Sequence, residues 1–187
     1  MRTPARDRTT VSRALLSAFA ILLVASGTAS AQQTAQSLNS VTTASLPRLE
    51  EMEPRVQGGF DEHLHGKLSV AFRLAAQRLS DRPRCAKMFR ELDTDGHARL
   101  LGTRYQEAST VGGEEMCRRG PGVAAYTAVD NSRTIVCPGF GRLTPKQAAV
   151  IVLHEALHFA GLAESPPTPG AMSPAEINEW VADRCGL

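Results

Sequence analysis

Between Leu143 and Gly161 the chain reads LTPKQAAVIVLHEALHFAG, and this stretch constrains the fold more than any other. Thr144 is a good helix N-cap and Pro145 suits the first helical position. The run Ala148, Ala149, Val150, Ile151, Val152 and Leu153 leaves almost no polar face, so the helix must be buried on nearly every side. Gly161 is a natural stop. Yet this buried helix carries His154, Glu155 and His158. Polar groups buried without partners are costly, so the fold has to bring partners to these three side chains.

A metal ion is the most economical partner. His154 and His158 are four apart, so both imidazoles leave one face of the helix and can bind one Zn2+. Glu155 stands beside the first ligand, placed to take a proton from a metal-activated water rather than to bind the ion. A catalytic zinc needs a third protein ligand and one open position. Two residues qualify: Glu164, just past Gly161, and Glu179, in the last predicted helix. Glu164 is preferred, because a ligand delivered by a turn directly after the helix closes only a short loop.

The segment HEALHFAGLAESPPTPGAMSP, His154 to Pro174, resembles the metzincin metallopeptidases and most of all their matrixin branch. His154, Glu155, His158 and Gly161 fall on that family's two ligands, general base and turn glycine. Glu164 falls on the third ligand, usually His or Asp. Met172 and Pro174 fall where its Met-containing turn is expected. A second resemblance is to the gluzincins, whose third ligand is a Glu within Asn-Glu-x-x-x-Asp. Asn178-Glu179-Trp180-Val181-Ala182-Asp183 matches that pattern, which makes Glu179 the alternative ligand and Asp183 the acceptor for a zinc histidine's ring N–H. Either resemblance implies a zincin-like α+β fold, a small partly antiparallel sheet packed on the active-site helix, and hydrolysis of peptide bonds in peptide or protein substrates. The resemblance covers about residues 123–187.

The N-terminus points to export. Arg2, Arg6, Arg8 and Arg13 precede an apolar segment from Ala14 to Ala25 that is too short to span a bilayer. Ala29-Ser30-Ala31 then matches a signal-peptidase site, with cleavage expected after Ala31 and a secreted or periplasmic product free of the membrane. The formal net charge of the whole chain is +2, but residues 1–31 carry four arginines and one aspartate, +3, so the remainder is −1, which argues against a nucleic-acid partner. In an oxidising compartment the four cysteines, Cys85, Cys117, Cys137 and Cys185, read as two disulfides. Three pairings are possible; Cys117–Cys137 with Cys85–Cys185 is preferred, the first closing a local segment and the second tying the C-terminus to an early helix.

Residues 32–60 read as a flexible spacer and 61–187 as one domain, a length that suits a single core. Helical spacing runs over 66–80, is interrupted at Asp81-Arg82-Pro83, and resumes through Cys85, Met88, Phe89 and Leu92. Asp93-Thr94-Asp95-Gly96 opens like a calcium loop but lacks the Glu that should close it, so it reads as a turn. VAAYTAV (123–129) and TIVC (134–137) predict an antiparallel hairpin. Ser173-Pro174 starts a last short helix with Ile177, Val181 and Trp180 facing inward.

His63 and His65 could bind a metal but read better as a polar surface before a helix, and His97 follows an Asp-Gly turn with no partner in sequence; Tyr105 and Tyr126 read either as donors to a reaction intermediate or as core tyrosines. The functional expectation is a secreted zinc metallopeptidase with Glu155 as general base. The alternative is a periplasmic zinc-stabilised binding or structural protein, or an inactive peptidase homologue.

Overall fold

The computed structural model describes Arg48, residues 51–119 and residues 122–187. The expected leader and its cleavage site, and most of the expected spacer, lie outside these residues. Among the described residues no helix is long and apolar enough to cross a membrane.

The elements run β1 (Arg55–Val56), α1 (Glu62–Asp81), α2 (Pro83–Arg90), α3 (Gly96–Gly102), β2 (Arg104–Glu107), α4 (Ala108–Val111), α5 (Glu114–Arg118), β3 (Ala125–Thr127), β4 (Arg133–Val136), a 3-10 turn (Pro138–Arg142), α6 (Pro145–Phe159) and α7 (Pro174–Cys185). The class is α+β. The four strands form one mixed sheet in the order β1-β2-β4-β3. β1 runs parallel to β2 and β2 parallel to β4, while the edge strand β3 is antiparallel to β4.

Helix α1 forms where the apolar spacing predicts it, four residues earlier at its start, because Asp61 caps it by accepting from the Leu64 N–H at 2.9 Å. Its buried stripe, Leu64, Leu68, Ala71, Phe72, Ala75 and Leu79, packs against α6. The ring of Phe72 meets that of Tyr105 edge-on at 6.3 Å, which seats α1 on the inner face of the sheet. Asp93 to Gly96 does more than turn the chain: Asp95 caps α3 by accepting from the Ala98 N–H.

Two expectations change. Residues 51–60 are not spacer: Met52 is buried in the core and Arg55–Val56 pair with β2. The sheet also has two strands, β1 and β2, that the sequence did not announce. β2 reads RYQE, with only Tyr105 buried at its centre, so no alternation of apolar residues marks it.

Both preferred disulfides are present. Cys85–Cys185 joins α2 to the C-terminal end of α7, and Cys117–Cys137 joins α5 to the end of β4. No cysteine is free. The bonds are compatible with an extracellular location.

Candidate metal centre

Helix α6 begins with a capping box: the Thr144 hydroxyl accepts from the Gln147 N–H while the Gln147 side chain accepts from the Thr144 N–H. Its apolar residues pack against α1, α3, α7 and β3, so its last two turns are enclosed. His154, Glu155 and His158 are only 5%, 4% and 3% exposed, and solvent cannot serve as their general partner.

The fold supplies partners instead. The Nδ1–H of His158 donates to the Leu162 carbonyl at 2.7 Å, and the Nδ1–H of His154 donates to Asn178 Oδ1 at 2.8 Å. With both Nδ1 atoms so engaged, both Nε2 atoms carry lone pairs. These face each other at 2.9 Å, and Glu164 Oε2 lies 3.6 Å from one and 3.3 Å from the other. Three lone-pair donors converging in a buried place repel one another unless a positive charge sits among them. Two imidazoles and a carboxylate are a fitting donor set for a divalent ion such as zinc, and the ligand atoms of His154, His158 and Glu164 all fall within 4.8 Å of each other. This group could hold a metal ion.

The electrostatics say the same. Burial pulls the His154 imidazole down, but hydrogen bonding to Glu164, the Glu155 charge and Asn178 outweigh it and hold its pKa above the ordinary histidine value. Hydrogen bonding to His154 holds the Glu164 carboxyl below the usual range against the effect of burial, with help from His158. The cluster favours one added positive charge, whether proton or ion.

Glu164 reaches the cluster through its loop. Gly161, at φ +99°, turns the chain off the helix in a conformation few other residues adopt, while its N–H still donates to the His158 carbonyl. Glu164 then bridges to Met172, and the Ser165 N–H donates to the Met172 carbonyl at 2.8 Å, which closes the loop on itself. After it a second capping box, Ser173 with Glu176, starts α7 and sets the position of Asn178.

Glu155 sits in the same cleft, about 580 Å3, whose lining includes Thr127, His154, His158, Glu164 and Asn178. Its Oε2 is buried without a hydrogen-bond partner. Burial pushes its carboxyl up, while His154, His158 and the Thr127 hydroxyl act in the other direction. Thr127 in turn shares a hydrogen bond with Thr134, Oγ1 to Oγ1, at 2.6 Å. β3, the strand that carries Thr127, is an edge of the sheet among the described residues and lines this cleft.

Of the two candidate third ligands the structure brings Glu164 to the histidines. Glu179 is exposed on α7 and is not among the converging ligand atoms. Asp183 does not meet a histidine either: it is exposed and pairs with Arg84 at 2.7 Å. The acceptor for His154 is Asn178, five residues earlier on the same helix. The sequence missed Asn178 although it opens the Asn-Glu-x-x-x-Asp pattern, and it missed the threonine pair, whose two members come from different strands and share no motif. His97 is held by Ser80 and the Ala76 carbonyl, and His65 packs edge-on to Phe60. Tyr105 is fully buried, and its hydroxyl is pushed far up by burial and by the charge of Glu155. Tyr126 lines the cleft.

Comparison of the chain with family models, with curated proteins and with solved structures finds no match.

Proposed function

We propose that the chain is a secreted zinc-dependent peptidase of zincin-like fold, with His154, His158 and Glu164 as the metal ligands and Glu155 as the general base. The observation that carries this reading is the convergence of two Nδ1-anchored imidazoles and a carboxylate beside a buried carboxylate that binds nothing else. Zinc at that place supplies a Lewis acid for a carbonyl and for the attacking water.

The chain's own residues do the rest. Glu155 takes the proton of the attacking water on its free oxygen and delivers it to the leaving amine. Burial raises its carboxyl, which favours holding the proton between the two halves of that transfer. Asn178 and the Leu162 carbonyl fix the tautomer of the two histidines and leave both Nε2 atoms aimed at the ion. Among the described residues β3 is an edge strand that lines the cleft, and an extended peptide can add to its outer side as a further strand.

A metal site that only stabilises the fold is the competing reading, and the burial of Glu155 is the observation in its favour. A structural site, however, has no use for an unpartnered acid beside its ligands. The deciding experiment loads the purified mature protein with zinc and screens it against quenched peptide libraries, wild type beside Glu155→Gln. Cleavage by the wild type alone supports the peptidase. One zinc per chain and no cleavage by either protein supports the structural site.

A further inference from the structure

The cleft does not end at the metal ligands. On α6 the face that carries His154 continues one turn back to Val150 and Ile151, and a second turn back to Gln147. Opposite it, α7 runs on from Asn178 to Glu179 and Ala182. Between the two helices lies a hollow of about 370 Å3. It adjoins the cleft of the metal centre, since Ile151 and Asn178 line both.

The walls of this hollow are aliphatic, made by Ala124, Leu143, Val150, Ile151 and Ala182. Its polar groups are mostly committed. Gln147 belongs to the capping box of α6, and Asn178 holds the ring of His154. Of all the lining residues Glu179 alone is charged. It is exposed, so its carboxylate stands at the solvent end of an otherwise apolar slot. The other acids of α7 serve elsewhere, Glu176 in the capping box and Asp183 with Arg84. The nearby cations Arg118 and Arg142 line a separate hollow, which shares only Gly122, Ala124 and Leu143 with this one.

We propose that the hollow takes a side chain of the substrate beside the scissile bond, and that Glu179 selects lysine or arginine there. This rests on the peptidase reading of the adjoining centre. The slot begins one helical turn, about 5.4 Å, from His154, so a side chain that enters it belongs to a residue held close to the ion. An aliphatic wall ending in a carboxylate fits a side chain built in the same order, an apolar stem with a cation at its tip. The stem of lysine or arginine covers the wall while its head stays in water beside Glu179. A purely apolar side chain gains from the wall but nothing from the carboxylate. An acidic one brings two like charges to one mouth.

The test uses the zinc-loaded Glu155→Gln protein, which leaves bound peptides uncut. Short fluorescein-labelled peptides, identical except for a central lysine, arginine, norleucine or glutamate, are titrated by anisotropy at low salt. Lysine and arginine should bind about two- to fivefold tighter than norleucine, the scale of an ion pair that faces water, with glutamate weakest. Adding Glu179→Gln should remove the advantage of lysine over norleucine, and Glu179→Lys should turn the preference toward glutamate. Both changes fall on an exposed position and leave the wall intact. A lysine preference unmoved by Glu179→Gln, or norleucine bound tighter than lysine, overturns the proposal. The same peptides are then offered to the zinc-loaded wild type. Cleavage without a Glu179-dependent preference for basic residues overturns the proposal and leaves the peptidase standing. Glu179-dependent binding with no cleavage overturns the peptidase and leaves the slot as a site for basic side chains. Neither binding nor cleavage overturns both.

Discussion

The hydroxyls of Thr127 and Thr134 hydrogen-bond at 2.6 Å across the β3–β4 ladder, on the sheet face that looks onto Glu155. Thr134 is fully buried, so its hydroxyl is committed to this contact, and Thr127 favours the ionised form of Glu155. Thr127→Val keeps the shape and removes the hydroxyl. Without that support the Glu155 carboxyl should be harder to ionise, so kcat should fall and the acid limb of its pH profile should move up, with KM little changed. Thr127→Ser should restore most of it. Steady-state kinetics on any cleaved peptide reads the difference, and an equal loss in both variants would mean that only packing matters.

Glu155→Gln should keep the bound zinc and the fold while kcat/KM drops by at least about a hundredfold, the usual loss when a general base is removed. Elemental analysis beside a peptide assay separates the two effects. Full activity in the variant would remove Glu155 from the mechanism.

The donor set predicts a graded series in zinc affinity. Glu164→Ala should lose most of the metal, whereas Glu179→Ala, altered on an exposed helix face, should retain it. Asn178→Ala leaves all three donors in place but frees the His154 ring, and should weaken binding by about 10- to 100-fold. Competition against a chromophoric chelator measures all three variants. Retention by Glu164→Ala with loss in Glu179→Ala would reverse the ligand assignment.

Stability should depend on pH in opposite ways with and without the ion. In the metal-free protein Glu164 holds His154 above its ordinary value in spite of burial, so that contribution is present below the unfolded histidine pKa and fades as pH rises through the folded one. Burial raises Glu155, which also costs stability as pH rises. His154 holds Glu164 low, a contribution present above the unfolded carboxylate pKa and lost as pH falls through the folded one. In the metal-free protein these three groups therefore contribute most to stability in mild acid. Zinc bound at the cluster would take the place of the proton and should bind better as pH rises. Thermal melts with chelator and with zinc, from about pH 5 to 9, should show the zinc-induced gain in Tm growing with pH. A gain that does not change with pH would mean that no proton is displaced.

Cys85–Cys185 closes a span of 100 residues and ties α7, which carries Asn178, to α2. Replacing both cysteines by alanine should cost about 2–5 kcal/mol and weaken zinc binding with it. Denaturant unfolding and a metal titration on the same sample test the link. Lower stability with zinc affinity unchanged would show that α7 holds its place unaided.

The sequence disclosed the centre of this molecule better than its frame. Thr144, Pro145 and the apolar run write α6 and its cap into the chain, and the four-residue spacing of His154 and His158 puts them on one face before any packing is known. Glu164 was legible because it follows the Gly161 turn directly. Asn178 was harder to see, since which residue of α7 meets His154 depends on the angle at which α7 packs against α6. β1 and β2 were illegible for another reason. Parallel strands are specified by partners far away in the chain, and RYQE carries no local signature.

The turn at Gly161 and the Glu164–Met172 bridge have a consequence for the order of folding. Every ligand atom of the centre, and both groups that orient the histidines, lie between His154 and Asn178. Assembling them closes one short loop, so its entropic cost is small beside that of pairing β1 with β2. An ion bound here would fasten α6, the loop and α7 into a hairpin whose ligand set needs no strand of the sheet to complete it.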